Sequence, residues 1–147
     1  MSKAFVKDDA PLEDAADETL FARLGPGPRY MTPAGHARLV AERDALAEHH
    51  DRSEHHFRWL EAVLGKAVVV HPDPAHADRA YLGAFVTIED QAGAERTVQL
   101  LGPDEDGGVS VDAPLGRALL GRSEGDEVVV EIPAGRQRLV VVGVRYV

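Results

Sequence analysis

The chain has 147 residues, 44% of them hydrophobic and 28% charged, with no cysteine and a formal net charge of −9 from 25 acidic and 16 basic side chains. That balance is the one expected of a globular chain with a single ordinary domain and a smaller appendage, and the lack of cysteine excludes disulfides, thiolate metal sites and cysteine nucleophiles. The acidity argues against retention on nucleic acid by general electrostatics, so any role near DNA or RNA is expected to run through a protein partner or a small local patch.

Residues 1–29 read as an acidic tail. Asp8, Asp9, Glu13, Asp14, Asp17 and Glu18 outnumber Lys3, Lys7 and Arg23, and Gly25-Pro26-Gly27-Pro28 closes the segment. Such a stretch is expected to be disordered apart from a short helix near 18–24, and it has neither the apolar core of a signal peptide nor that of a membrane span. Order is expected from Tyr30. Thr32 before Pro33 is a helix start, a hydroxyl acceptor followed by a proline at the first helical position. A first helix is predicted over 33–49 with Leu39 and Leu46 a heptad apart, and a second over 53–64 carrying Phe57, Leu60 and Leu64. A connection of only about four residues makes the two antiparallel neighbours, a helical hairpin occupying 30–65. Trp59 and Phe57 are expected to pack where this hairpin meets the rest.

Residues 66–147 read as β-rich. Strands are predicted over 67–71, 82–89, 96–101, 109–111, 128–132 and 138–147, with Pro133-Ala134-Gly135 turning the last pair. One short helix is predicted over 114–120, proline near its start and Gly121 near its end. The fold class is therefore α+β: a short antiparallel helical hairpin followed by an antiparallel sheet with one helix.

Tyr30-Met31-Thr32-Pro33-Ala34-Gly35 with Arg38-Leu39, Gly83-Ala84 with Val86 and Ile88, residues 98–102, and Val109-Ser110-Val111-Asp112-Ala113-Pro114 with Arg117-Ala118-Leu119-Leu120 and Gly125-Asp126 stand in order along the chain. Together with Pro133-Ala134-Gly135 and Tyr146-Val147 they resemble the bacterial Gre transcript-cleavage and elongation factors, GreB more than GreA. The resemblance implies a coiled-coil arm joined to a C-terminal domain of FKBP-like fold. It implies RNA polymerase as the partner, the globular domain holding the rim of the secondary channel and the arm entering it. Asp112, Ala113 and Pro114 would form the loop that touches the rim; the family often has serine where Ala113 stands. It further implies a cytoplasmic monomer with no direct sequence-specific contact to nucleic acid, and a factor that is not itself an enzyme.

Asp51-Arg52-Ser53-Glu54 resembles the acidic tip motif of GreB, whose two acids help hold magnesium and water at the polymerase active site. Hard magnesium takes one or two protein carboxylates and keeps several waters, so Asp51 and Glu54 are the candidate ligands. Read from the residues alone, an aspartate three before a glutamate at a helix start is a cap, and Asp112 is equally a candidate cap for the helix after it. The arm, however, is short: a helix of about 17 residues spans about 25 Å, the family pattern has about fifteen more residues in each helix, and the tip falls about 22 Å short. In that respect the chain resembles Rnk, a shorter-armed regulator, which implies polymerase binding without stimulated cleavage. The alternative is a GreB-like stimulator acting through Asp51 and Glu54.

His49, His50, His55 and His56 crowd the same tip, and imidazole with carboxylate suits a transition metal or a pH sensor. A metal-binding protein is thus a reading from another class. An FKBP-like prolyl isomerase is a third; it requires an aromatic-lined pocket built from Tyr81, Phe85 and Tyr146.

Overall fold

The computed structural model describes residues 24–49 and 51–146. The acidic segment up to residue 23, and His50 at the tip, lie outside the described residues. Two compact units are distinguished: one built on Leu39–Lys66 with residues 24–28, the other on Arg29–Arg38 with residues 67–146.

In the first unit, α1 (Pro33–Ala47) continues from residue 39 to its end and α2 (Glu54–Gly65) follows after a six-residue turn. Ser53 is the N-cap of α2, its Oγ accepting from the His56 N–H at 3.3 Å. The helix ends without a left-handed glycine: Lys66 is the C-cap, its N–H reaching Val63 O at 3.0 Å. The buried apolar residues are Leu39, Leu60 and Val63, whereas Leu46, Phe57 and Leu64 of the expected seam are half-buried. Across the hairpin, His56 Nε2 meets Glu42 Oε1 at 2.6 Å.

In the second unit, β1 (Arg29–Met31) pairs in parallel with β2 (Ala67–Val69). The main sheet has the order β5-β4-β3-β7-β6, formed by β3 (Phe85–Glu89), β4 (Glu95–Leu101), β5 (Val109–Ser110), β6 (Glu127–Ile132) and β7 (Gly135–Arg145). Its pairings are antiparallel except that β5 lies parallel to β4, a departure from the wholly antiparallel sheet expected. The parallel strand is only two residues long, and the chain enters it from a turn and leaves it within four residues for α3 (Pro114–Leu119). Alternation explains the burial: Val86, Ile88, Val128, Val130, Leu139 and Val141 face one side and are buried, while Thr87, Val129 and Arg138 lie on the other. Leu119 of α3 closes that core, with Leu115 and Ala118 packed against it.

Candidate functional site: an acidic tip and a docking loop

The tip is built by a cap and an arginine. Because Ser53 takes the capping position, Glu54 is the first residue of α2 and Asp51 lies outside the helix in the turn. Asp51 is therefore not the cap that the pairing alone suggests; a serine one residue before the glutamate outcompetes it. Asp51 and Glu54 are both exposed. Arg52 ties the turn together. Its Nη1 donates to Ala47 O at the end of α1 (3.3 Å), and its guanidinium lies 4.2 Å from the Phe57 ring centroid. Its Nε stands 3.0 Å from Glu54 Oε1, an ion-pair contact without hydrogen-bond alignment. One of the two acids thus already faces a cation of its own chain.

Of the described tip histidines, His49, His55 and His56, only His56 has a side-chain hydrogen-bond partner here. His56 is engaged with Glu42 and stacks on Trp59, ring centroids 6.2 Å apart, while His49 and His55 are exposed. Among the described residues no group of three or more His, Asp and Glu side chains is arranged to hold a metal ion. Phe57 and Trp59 make these ring contacts within the first unit.

The second constellation lies in the sheet unit. Val111 N–H donates to Leu101 O at 2.9 Å, which carries β5 into the loop. Ser110 then holds the loop by both ends of its acceptor capacity: its Oγ accepts from Asp112 N–H at 3.1 Å and its carbonyl from Ala113 N–H at 3.0 Å. Ala113 is the N-cap of α3, with the extended backbone of a cap (φ −73°, ψ 156°) and no side-chain hydrogen bond, and Pro114 opens the helix. Asp112 therefore precedes the cap instead of supplying it. Its exposed carboxylate acts on Arg29, whose guanidinium is held more basic than usual, first by its hydrogen bond to Asp104. Gly116 makes this geometry possible: a Cβ there would collide with the Ser110 carbonyl and the Val111 backbone, so only glycine lets α3 lie this close to the loop.

A third feature bears on the isomerase reading. A groove of about 320 Å³ is lined by Val70, His71, Pro72, Asp73, His76, Tyr81, Leu82 and Tyr146. Tyr81 and Tyr146 do share it, but Phe85 is elsewhere, beneath Arg145 at 4.7 Å. The Tyr146 hydroxyl is committed to the backbone, donating to Arg79 O at 2.7 Å and accepting from Tyr81 N–H at 3.0 Å.

Sequence reasoning missed Asp104 and Glu105. Glu105 accepts from Thr32 N–H (3.1 Å) and Gly102 N–H (2.7 Å) and from the Thr32 hydroxyl, and Asp104 takes Arg29 Nε and Nη2 at 2.9 and 2.8 Å. The available signal was a threonine cap followed three residues later by glycine, where a capping box has glutamate or glutamine.

The sequence profile described as "Transcription elongation factor, GreA/GreB, C-term" matches residues 74–146. Transcription elongation factor GreA of Desulfovibrio desulfuricans is 38% identical over 117 residues, covering 76% of this chain and 72% of that protein. The chain belongs to the GreA/GreB family of transcription elongation factors. GreB of Pseudomonas aeruginosa is 32% identical over 154 aligned positions, which take in 82% of this Gre-family chain and 92% of its relative. Among solved structures, a GreA/GreB factor of Nitrosomonas europaea is 25% identical, with a TM-score of 0.45 over 82% of this chain and 100% of that one. The profile's span contains the loop at 112–114 and part of the groove's lining (His76, Tyr81, Leu82 and Tyr146), whereas the tip and residues 70–73 lie before it. Among the described residues no helix is long and apolar enough to cross a membrane.

Proposed function

We propose that this Gre-family elongation factor is a cytoplasmic monomer that binds bacterial RNA polymerase at the secondary channel and does so without efficient stimulation of transcript cleavage. The division of labour proposed is an arm over 30–65 and a Gre C-terminal domain of FKBP-like fold over 66–147. Asp112, Ala113 and Pro114 are the rim-contacting loop. Its exposed acid and proline, held on a backbone braced by Ser110 and Gly116, support that assignment.

The observation that carries the reading is the length of the hairpin. Its helices have 15 and 12 residues. At about 1.5 Å per residue the longer one reaches about 22 Å, about half of what the family's arm pattern provides. Metal coordination tolerates errors of only tenths of an ångström, so Asp51 and Glu54 would not arrive at a magnesium ion held deep in the polymerase. A bound factor of this kind obstructs the channel or displaces longer-armed relatives. It acts by occupancy and performs no chemistry of its own.

The test is competition. Fluorescently labelled GreB bound to polymerase should be displaced by this protein, and an Asp112→Ala, Pro114→Ala variant should displace it at least about tenfold less well, a loss of about 1.4 kcal/mol. Failure of the unaltered protein to displace GreB would remove the proposal.

A further inference from the structure

The first turn of α1 is capped by a residue far away in sequence. Thr32 Oγ1 accepts from Gly35 N–H at 3.1 Å, the usual half of a capping box. In the other half, a side chain three residues after the cap reaches back to the cap's own N–H. Here that position is Gly35, which has no side chain. The Thr32 N–H is taken instead by Glu105, 73 residues on, whose carboxylate also receives the Thr32 hydroxyl and the Gly102 N–H. The substitution is spatial as well as chemical: a Cβ at Gly35 would run into the Glu105 carboxylate. The neighbouring Asp104, its side chain only 3% exposed, grips Arg29 through two hydrogen bonds on the strand that leads into Thr32. A negative charge at this end of α1 also suits the helix dipole.

We infer that Glu105 is a positioning residue: by completing the capping box in trans it fixes the root of α1 to the turn after β4, and the arm's action on its partner depends on that bracket. A helix needs only a local glutamate to be capped. A glutamate borrowed from the sheet caps the helix and tethers it in one step. The inference deepens the polymerase-binding reading and rests on it for its functional half, but the tether is a property of the protein alone.

The chain's lack of cysteine allows clean spin labelling at Ala37→Cys on α1 and Glu95→Cys on β4, both exposed positions of the sheet unit. Three forms of the full chain separate capping from tethering: the otherwise unaltered protein, Glu105→Ala, and Glu105→Ala with Gly35→Glu, which restores a capping box within the helix. The unaltered pair should give one narrow distance distribution. Glu105→Ala should widen it at least about twofold and lower amide protection at Thr32 and Gly102 about tenfold each, the loss of one typical hydrogen bond at each amide. The Gly35→Glu double variant should regain the amide protection at Thr32, but not at Gly102, yet keep the wide distribution and a weakened displacement of GreB from polymerase.

A narrow distribution in Glu105→Ala, or its return with Gly35→Glu, overturns the bracket. Should Glu105→Ala not fold, Glu105→Gln serves: it keeps acceptor capacity and loses charge, so intermediate widening supports the inference and an unchanged width overturns it. If the unaltered protein gives the narrow distribution but never displaces GreB, the polymerase reading fails while the tether stands.

Discussion

Ala113 has the backbone of a helix cap and no oxygen with which to cap. Replacing it by serine should therefore stabilise the protein by about 1 kcal/mol, the usual worth of an N-cap hydroxyl, and raise the melting temperature by about 2–4 °C. Differential scanning calorimetry would check it, and no gain would mean that a serine hydroxyl at this position finds no free amide in the first turn of α3. Tyr146 makes the opposite case. Its phenol bridges Arg79 O and Tyr81 N–H, so Tyr146→Phe should cost about 0.5–1.5 kcal/mol in urea unfolding. Burial, first of all, pushes this phenol above its ordinary value. A proton held more tightly in the folded state gives stability that is complete below the unfolded-state value of about 10 and is lost as pH rises through the folded one. The alkaline decline should be shallower in Tyr146→Phe. At this scale the sequence was legible where partners are neighbours: Thr32 and Pro33 announce the start of α1. Asp51 and Asp112 misled because the caps lie two residues and one residue further on, at Ser53 and at Ala113. Glu105 was invisible because Thr32, the residue it serves at the helix start, lies 73 residues away and no local pattern encodes a borrowed cap.

At the scale of elements, the hairpin's connection is held by a cap, an arginine and one cross-helix pair, and these are unequal. Ser53→Ala removes the acceptor for His56 N–H and should cost about 1 kcal/mol. His56→Gln removes the contact with Glu42, in which both side chains are over 40% exposed, and should cost no more than about 0.5 kcal/mol. Helix signal followed by circular dichroism during thermal unfolding would rank the two; a larger loss for His56→Gln would place the hairpin's cohesion in the cross-helix contact. The elements themselves were readable from apolar periodicity and from proline and glycine punctuation, since α2, β3, β4, α3, β6 and β7 each lie within a few residues of where those signals put them. β1 was not: it is three residues beside a Gly-Pro segment and exists through its parallel pairing with β2. β5 was placed, but it is two residues whose direction only its neighbour decides. Strands this short take their identity from tertiary pairing, not from local preference.

For the whole molecule, the family is carried by motifs spread along the chain, and the profile match and the GreA and GreB relatives agree with it. On the proposed reading, the departure from the family pattern that matters lies in the arm, whose helices of 15 and 12 residues would separate occupancy of a channel from chemistry at its far end. The acidic net charge of −9 fits a partner that is protein, because nonspecific attraction to nucleic acid is not on offer. The decisive measurement is RNA length in a stalled, backtracked polymerase complex, with binding of this protein monitored in the same reaction. Saturating binding should leave the transcript at full length over times in which GreB shortens it completely. Transcript shortening at saturation, abolished by Asp51→Ala, would contradict the account and return the tip to catalytic service.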